Sequence, residues 1–323
     1  MIYTTLRGTN LQPSVLGFGC APILGRVAKK QSLRALNVAY NSGITHFDIA
    51  RSYGFGEAEG LLGKFIQGKR DKLYIATKFG IAPSQQTQML NKLKPLVRTV
   101  LALAPGSRTI VRQQVSHLTI RSNFSVDAAK TSLEKSLRQL RTDYVDILFL
   151  HECTSESLLD EELFNFLDDC VRDGKVRYYG IATGINETIK ILNETKASIK
   201  VTQFPSSLFD RNAEELRKAN NIAFISHSPF GGMSGLNRIR FLINKNPELL
   251  SNWSHLLDVE KLDFSKLIAL ILQYSIKALG NDGVVLCSMF QEEHILANVN
   301  SVNLPTYSNN QISKFAQIIE NLK

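Results

Sequence analysis

The sequence predicts an α/β protein that folds as a closed (β/α)8 TIM barrel, and three observations support this prediction. Eight short apolar runs have the composition of β-strands, and amphipathic helical patterns lie between them, so that strand and helix alternate along the chain. Eight such repeats favour a closed barrel. An open doubly wound sheet is disfavoured because Gly17-Phe18-Gly19 lacks the third glycine and the acidic residue about 20 positions later that mark dinucleotide binding in such sheets.

The predicted strands are mostly continuous apolar runs, which is typical of parallel strands covered on both faces. In chain order they span Leu16–Gly19, Thr45–Ala50, Leu73–Lys78, Tyr144–His151, Val176–Ala182, Lys200–Pro205, Ala223–Pro229 and Gly283–Ser288. Residues 31–43, 126–140 and 161–175 are examples of the helical patterns between the strands. Several of these patterns stop at Gly or Asn, residues that commonly terminate helices.

Length and composition match one large globular domain. A chain of 323 residues has the size of a single barrel, and 44% apolar with 21% charged residues exclude a disordered chain or a fibre. We therefore predict one domain over residues 1–323, interrupted by an insertion at about 81–125.

The N-terminal residues lack the basic and apolar regions of a signal peptide, and no run approaches the roughly 18 uncharged apolar residues of a membrane span. These features predict a cytoplasmic protein with no membrane span. The four cysteines show no CxxC pairing, so we expect them to be reduced and mostly buried. They are Cys20, Cys153, Cys170 and Cys287.

The insertion at about 81–125 is too long for an ordinary strand-to-helix connection of about 2–6 residues. In a barrel it would leave the rim that holds the active site, so it is either a lid or a loop packed by its own side chains. A basic amphipathic helix at a membrane surface is a weaker third interpretation.

Positive charge is concentrated in one block of the chain. The net charge is +9, and no Asp or Glu occurs between Asp71 and Asp127. This block indicates either an anionic ligand or a solvated insertion. A nucleic-acid partner is not predicted, because the block has no recognised binding motif and no interleaved aromatic residues. Its cations are Lys72, Lys78, Lys92, Lys94, Arg98, Arg108, Arg112 and Arg121.

Polar residues of catalytic type stand at or just after the ends of three predicted strands. The segment THFDIARSYGFGEAEGLLGKF contains Asp48 and, five residues later, Tyr53; IATKFG contains Lys78, and DYVDILFLH contains His151. These segments, with GKVRYYGIA at the fifth strand, resemble the signatures of the aldo-keto reductase family. The resemblance extends from about Leu16 to Val299 and is interrupted mainly by the insertion.

The resemblance implies hydride transfer between a nicotinamide cofactor and a carbonyl or alcohol substrate, with Tyr53 as the proton donor in reduction. A cation about 4 Å away favours a phenolate by roughly 4 kcal/mol at an effective dielectric of about 20, which corresponds to up to about three pKa units. We expect Lys78 to act on Tyr53 in this way and Asp48 to hold Lys78 in place. His151 would donate a hydrogen bond to the carbonyl oxygen of the substrate.

The resemblance also implies a set of cofactor contacts. At the nicotinamide, Gln203 and Thr183 would bind the carboxamide, and His227 stands where an aromatic ring usually stacks. The pyrophosphate loop would contain Ser228, Phe230, Gly231 and Gly232. The adenosine end would contact Ser288, His294 and Asn298.

The family prefers NADP(H), which we expect here, with NAD(H) as the alternative. Ser288 and His294 replace the Lys and Arg that commonly bind the 2′-phosphate of NADP(H) in the family. No zinc-type spacing of His, Cys, Asp or Glu occurs, so no metal site is predicted.

The predicted substrate is a small aldehyde, ketone or sugar-like carbonyl or alcohol compound. The cationic insertion, which includes Arg108 and Arg112, raises the hypothesis that the substrate is anionic. An alternative function is a regulatory subunit that keeps the fold and binds the cofactor but acts through protein contacts. No sequence feature indicates an oligomeric state.

Overall fold

A computed structural model describes residues 1–81, 122–158, 160–194, 199–219, 222–280, 282–303 and 307–320. Most of the predicted insertion, including the two arginines proposed to face an anionic substrate, lies outside the described residues. The two interpretations of the insertion as a lid or as a self-packed loop therefore stay predictions.

Eight parallel strands form a closed barrel in which each strand pairs with its neighbour in sequence and the last pairs with the first. This confirms the predicted (β/α)8 barrel. The predicted seventh strand extends to Pro229, but the observed strand ends at His227 because Ser228 adopts a left-handed backbone with φ 61°. The strands are β1 (Leu16–Gly19), β2 (His46–Asp48), β3 (Tyr74–Phe79), β4 (Val145–His151), β5 (Val176–Ala182), β6 (Val201–Pro205), β7 (Ala223–His227) and β8 (Val284–Cys287).

The described helices surround the barrel, and local capping explains several of their boundaries. Ser125 begins one helix by accepting a hydrogen bond from the Ala128 amide at 3.3 Å, and Asp263 begins another by accepting one from the Lys266 amide at 2.8 Å. The helices are α1 (Lys29–Asn41), α2 (Ala58–Phe65), α3 (Val126–Leu140), α4 (Glu161–Arg172), α5 (Ile185–Glu194), α6 (Asn212–Ala219), α7 (Gly232–Lys245), α8 (Leu249–Leu257), α9 (Phe264–Ala278), α10 (Glu292–Asn303) and α11 (Asn309–Glu320).

An N-terminal hairpin closes the end of the barrel where the strands begin. Tyr3 and Ser14 form an antiparallel bridge, and the Leu6 amide donates to the Leu11 carbonyl at 2.9 Å. The Leu6 and Leu11 side chains are fully buried and pack with barrel residues such as Phe149. Sequence reasoning did not predict this hairpin, because its two apolar residues form no recognisable periodic pattern.

The carboxyl ends of the strands meet at the opposite end of the barrel, which we call the mouth. In the barrel register, His151 pairs with Ala182 and Ala182 pairs with Gln203, so adjacent strands bring their terminal residues to a common level. Polar residues at the ends of separate strands therefore converge at the mouth, as in other barrels of this type.

Two further predictions can be compared with the structure. All four cysteines are buried and none forms a disulfide, as expected from the sequence. Within the described ranges, no helix combines the length and the apolar character needed to cross a bilayer.

Candidate active site

A buried ion pair joins the ends of two adjacent strands at the mouth. The Lys78 ammonium donates to Asp48 Oδ1 at 2.5 Å and to the Ile49 carbonyl at 3.1 Å. Only 2% of Lys78 and 4% of Asp48 are exposed. Burial alone would lower the pKa of Lys78, but Asp48 and Tyr53 together raise it, so the ammonium is charged.

Tyr53 lies beside this ion pair in a short 3₁₀ turn, Tyr53–Gly56, that follows β2. The Lys78 Nζ atom is 5.4 Å from the centroid of the Tyr53 ring. Burial raises the pKa of Tyr53, and the charge of Lys78 lowers it by less, so the net direction is upward. The expected lowering of this pKa towards neutrality is therefore wrong, because the sequence does not show how strongly the phenol is desolvated. At neutral pH Tyr53 holds its proton.

His151 completes the group at the end of β4. Its ring centroid lies 6.2 Å from that of Tyr53, with the two rings nearly perpendicular at 86°. Burial and the nearby Lys78 charge lower the pKa of His151 to about 3, so the imidazole is neutral. Its Nδ1 atom is buried and has no hydrogen-bond partner among the described residues.

Gln203 reaches across the barrel to the same carboxylate. Its Nε2 atom donates to Asp48 Oδ2 at 2.8 Å, so both carboxylate oxygens of Asp48 accept a hydrogen bond within the barrel. This contact was not predicted, since sequence reasoning assigned Gln203 only to the nicotinamide. The second amide hydrogen and the carbonyl oxygen of Gln203 can still bind a ligand.

Two other predicted nicotinamide contacts lie at the mouth. The Thr183 hydroxyl donates to the Cys153 carbonyl at 3.1 Å, which leaves the hydroxyl oxygen as an acceptor. His227 ends β7 and contacts the Ser228 hydroxyl at 3.1 Å. Burial lowers the pKa of His227, and the charges of Asp48 and Lys78 also act on it.

The predicted pyrophosphate loop has a backbone suited to an anionic group. Ser228, Gly231 and Gly232 all have positive φ, at 61°, 65° and 64°. A side chain at Gly231 would approach Phe209 to 2.9 Å, whereas one at Gly232 would meet nothing within 4 Å, so the backbone at Gly232 is open to a ligand. α7 begins at Gly232, and its first amides point away from the helix. The loop therefore fits a phosphate-bearing cofactor.

Comparison with known proteins identifies the family. The family model of the aldo/keto reductase family matches residues 15–320. This chain belongs to the aldo/keto reductase family.

Two curated relatives show how far the sequence of this chain differs from those of other family members. A probable aldo-keto reductase of Glycine max is 30% identical over 227 residues, covering 68% of this chain and 56% of the relative. An NADP(+) aldo-keto reductase of Schizosaccharomyces pombe is 26% identical over 235 residues, covering 69% and 60%. The matched region thus spans less than two thirds of these relatives.

Solved aldo-keto reductases have the same fold. One from Bacillus halodurans in its holo form has a TM-score of 0.68 and 22% identity, covering 98% of this chain and 95% of the other. A thermostable enzyme solved with the inhibitor epalrestat has a TM-score of 0.69 and 20% identity, covering 98% and 99%.

The predicted adenosine contacts of this chain lie at the end of β8 and on α10. The Ser288 hydroxyl donates to the Gly19 carbonyl at 3.1 Å. Asn298 is buried, and His294, on the same helix, is exposed. The nearby Arg34 forms an ion pair at 2.6 Å with Glu292, at the start of α10. Ser288 and Asn298 are uncharged and Arg34 is paired with Glu292, so these three side chains offer no free cation to a 2′-phosphate.

A second buried ion pair, which sequence reasoning missed, lies behind the mouth. Arg51, just after β2, pairs with Glu59 of α2, and the Thr77 hydroxyl donates to the other Glu59 oxygen at 2.7 Å. Glu59 lies within the segment THFDIARSYGFGEAEGLLGKF, but nothing in the sequence identified Arg51 as its partner. Within the described ranges, no group of three or more His, Cys, Asp or Glu side chains has the arrangement of a metal site.

Buried histidines are expected to make this protein less stable as the pH falls. Burial lowers the pKa of His46 to about 4 and that of His151 to about 3, whereas an unfolded histidine titrates near about 6.5. Below that pH the unfolded chain binds protons that the native chain does not, so unfolding is favoured. Each such histidine contributes a slope of up to about 1.4 kcal/mol per pH unit.

Urea unfolding at several pH values between about 7 and 5 measures this slope. His46→Met should reduce it, whereas His255→Gln, at an exposed histidine on α8, should leave it unchanged. An equal slope in wild type and His46→Met would contradict the assignment of His46 as a buried neutral group.

Proposed function

We propose that this aldo/keto reductase is a nicotinamide-dependent oxidoreductase that interconverts a small carbonyl compound and its alcohol. The observation that supports the proposal most directly is the buried Asp48–Lys78 ion pair with the rings of Tyr53 and His151 beside it at the mouth. Asp48, Lys78 and His151 lie at or near the ends of three different strands, and Tyr53 lies in the turn after one of them. This convergence favours an active site over an ion pair that serves only stability.

Tyr53 acts as the general acid in reduction and as the general base in the reverse direction. Its hydroxyl donates a proton to the oxygen of the reacting carbonyl, on which negative charge develops. Lys78 stabilises the phenolate that results, because its ammonium is fixed next to the ring by Asp48. The nicotinamide cofactor, when bound, supplies or accepts the hydride.

His151 orients the carbonyl group. A neutral imidazole has one N–H donor, which can hydrogen-bond the substrate oxygen while the other nitrogen accepts. The low pKa of His151, about 3, keeps the ring from competing with Tyr53 as the proton donor at neutral pH. Its role is therefore positioning and polarisation of the carbonyl.

The proposed cofactor contacts form three groups. Gln203, Thr183 and His227 would hold the nicotinamide at the mouth; Ser228, Phe230, Gly231 and Gly232 would hold the pyrophosphate; Ser288, His294 and Asn298 would contact the adenosine end. The positive φ values and open backbone of the loop support the second group. We propose NADP(H) as the cofactor, with weak discrimination against NAD(H), since Ser288 and His294 stand where a lysine and an arginine commonly bind the 2′-phosphate.

Quenching of intrinsic fluorescence should show binding of both NADPH and NADH, with dissociation constants within about tenfold of each other, because Ser288 and His294 provide no arginine fork for the 2′-phosphate. Gly232→Asp should weaken both by more than about tenfold by placing a carboxylate beside the phosphates. Gly174→Asp is the matched control, because Gly174 also has positive φ and open space but precedes β5 at the other end of the barrel. A preference of several hundredfold for NADPH would contradict the weak discrimination.

The substrate class stays a proposal: an aldehyde, ketone or sugar-like compound, or the corresponding alcohol. An anionic substrate is still a hypothesis, since Arg108 and Arg112 lie outside the described residues. The alternative of a cofactor-binding regulatory subunit is less well supported, because such a subunit does not need a protonated tyrosine next to a fixed ammonium.

A further inference from the structure

A groove on the outer wall of the barrel is separate from the mouth. It has a volume of about 740 Å³ and is lined by residues of the N-terminal hairpin, α6, α9 and α11. Pockets of about 300–1,000 Å³ are typical of small-molecule sites. Part of the groove lies near the C-termini of α6 and α9. These helices lead into the first residues of β7 and β8, so this part is near the end of the barrel opposite to Asp48.

Four cationic side chains line the groove, and two of them have carboxylate partners. Arg7 forms an ion pair with Asp282 at 2.5 Å. Arg211 forms ion pairs with Glu214 at 2.5 Å and with Glu320 at 2.8 Å. The charges of Arg7 and Arg211 are therefore compensated within the protein.

The other two cations, Arg217 and Lys277, have no carboxylate partner in the part of the chain that the structure describes. The Lys277 ammonium donates to the Asn309 carbonyl at 2.8 Å and to the Ser313 hydroxyl at 3.2 Å, which are both neutral acceptors. Arg217 is exposed and forms no hydrogen bond or ion pair with a described residue. Among the described residues, these two positive charges in the groove therefore have no carboxylate partner.

Both cations belong to the part of the groove at the C-terminal end of α9. A methyl group built on Gly280 would lie 2.1 Å from Arg217 Cζ, so the guanidinium rests against the backbone there. The Gly280 amide in turn donates to the Lys277 carbonyl at 2.8 Å. Arg217, from α6, and Lys277, in the last turn of α9, therefore add two positive charges to the same groove, and both would attract an anion bound there.

Neutral donors and one unpartnered donor complete the lining. Ser313 and Gln317 stand on the α11 side of the groove. The Nε atom of Arg211 is buried and has no hydrogen-bond partner among the described residues. Ser313 and Gln317 can thus add hydrogen bonds to a ligand held by the two cations.

We propose that this groove is a second ligand site, which binds a small phosphate-bearing anion through Arg217 and Lys277. A guanidinium presents a planar pair of N–H donors and an ammonium presents a compact charge, a combination that matches the several oxygens of a phosphate group. The site is distinct from the pyrophosphate loop, which lies at the mouth.

Isothermal titration of the protein with inorganic phosphate, at fixed ionic strength and with saturating NADPH present to occupy the loop at Ser228–Gly232, tests the proposal. Arg217→Gln/Lys277→Gln should weaken phosphate binding by at least about tenfold, because hydrogen bonds to charged groups are lost. Lys130→Gln/Lys314→Gln removes the same charge from exposed positions outside the groove and should bind like wild type.

A charge-conserving variant, Arg217→Lys/Lys277→Arg, should retain most of the phosphate affinity. Phosphate should also raise the melting temperature of wild type and of the control above the value in chloride, but not that of the Gln double variant. The proposal is overturned if wild type shows no saturable phosphate binding, or if the Gln double variant binds phosphate as tightly as wild type.

Discussion

Tyr53→Phe is expected to lower turnover by at least about a thousandfold, because it removes the proton donor and keeps the ring. The Lys78–Asp48 ion pair at 2.5 Å does not depend on the tyrosine hydroxyl, so the rest of the mouth should be unchanged. Cofactor affinity should therefore equal that of wild type. Steady-state rates over a panel of aldehydes, ketones and sugars, together with fluorescence quenching by NADPH, measure both quantities.

The matched control is Tyr3→Phe, which removes the hydroxyl of a tyrosine that is 54% exposed in the N-terminal hairpin. It should leave turnover and cofactor affinity at wild-type values. Near-normal turnover in Tyr53→Phe would exclude Tyr53 from the reaction. Cofactor binding without turnover of any panel compound by wild type would instead favour the regulatory subunit.

Arg51→Met is expected to destabilise the protein by about 3–5 kcal/mol, because it leaves the Glu59 carboxylate buried without its cation. Only 4% of Arg51 and 1% of Glu59 are exposed, so water cannot replace the lost partner. Urea unfolding monitored by circular dichroism measures the loss. Arg51→Met/Glu59→Leu should recover part of it, although the Thr77 hydroxyl then loses its acceptor.

An exposed ion pair provides the comparison for this prediction. Arg172 and Asp169 on α4 are 74% and 55% exposed in their side chains, so Arg172→Met should cost less than about 1 kcal/mol. Equal losses for Arg51→Met and Arg172→Met would show that burial of the Arg51–Glu59 pair has no energetic consequence.

The barrel and much of its mouth could be predicted because their signals are local. Parallel strands covered on both faces require continuous apolar runs, and the run that ends at His151 was found to within one residue of the observed strand. Lys78 and His151 were recognisable as polar residues at the ends of such runs, where barrel side chains converge.

Other features could not be predicted because they depend on contacts between distant parts of the chain. Gln203 and Asp48 are 155 positions apart, and only closure of the barrel brings the amide to the carboxylate. The direction of the Tyr53 pKa depends on the balance between burial and the Lys78 charge, and the sequence shows the charge but not the burial.

The pairing of β1 with β8 has a consequence for the synthesis of this chain on the ribosome. Leu16 pairs with Val285 and Phe18 with Cys287. The edge of β1 that faces away from β2 therefore has no hydrogen-bonding partner until β8 has been synthesised. A nascent chain that ends before β8 exposes two unpaired strand edges, which are sites for aggregation. The barrel can therefore close only after translation has passed Cys287, and chaperone protection would be most useful before that point.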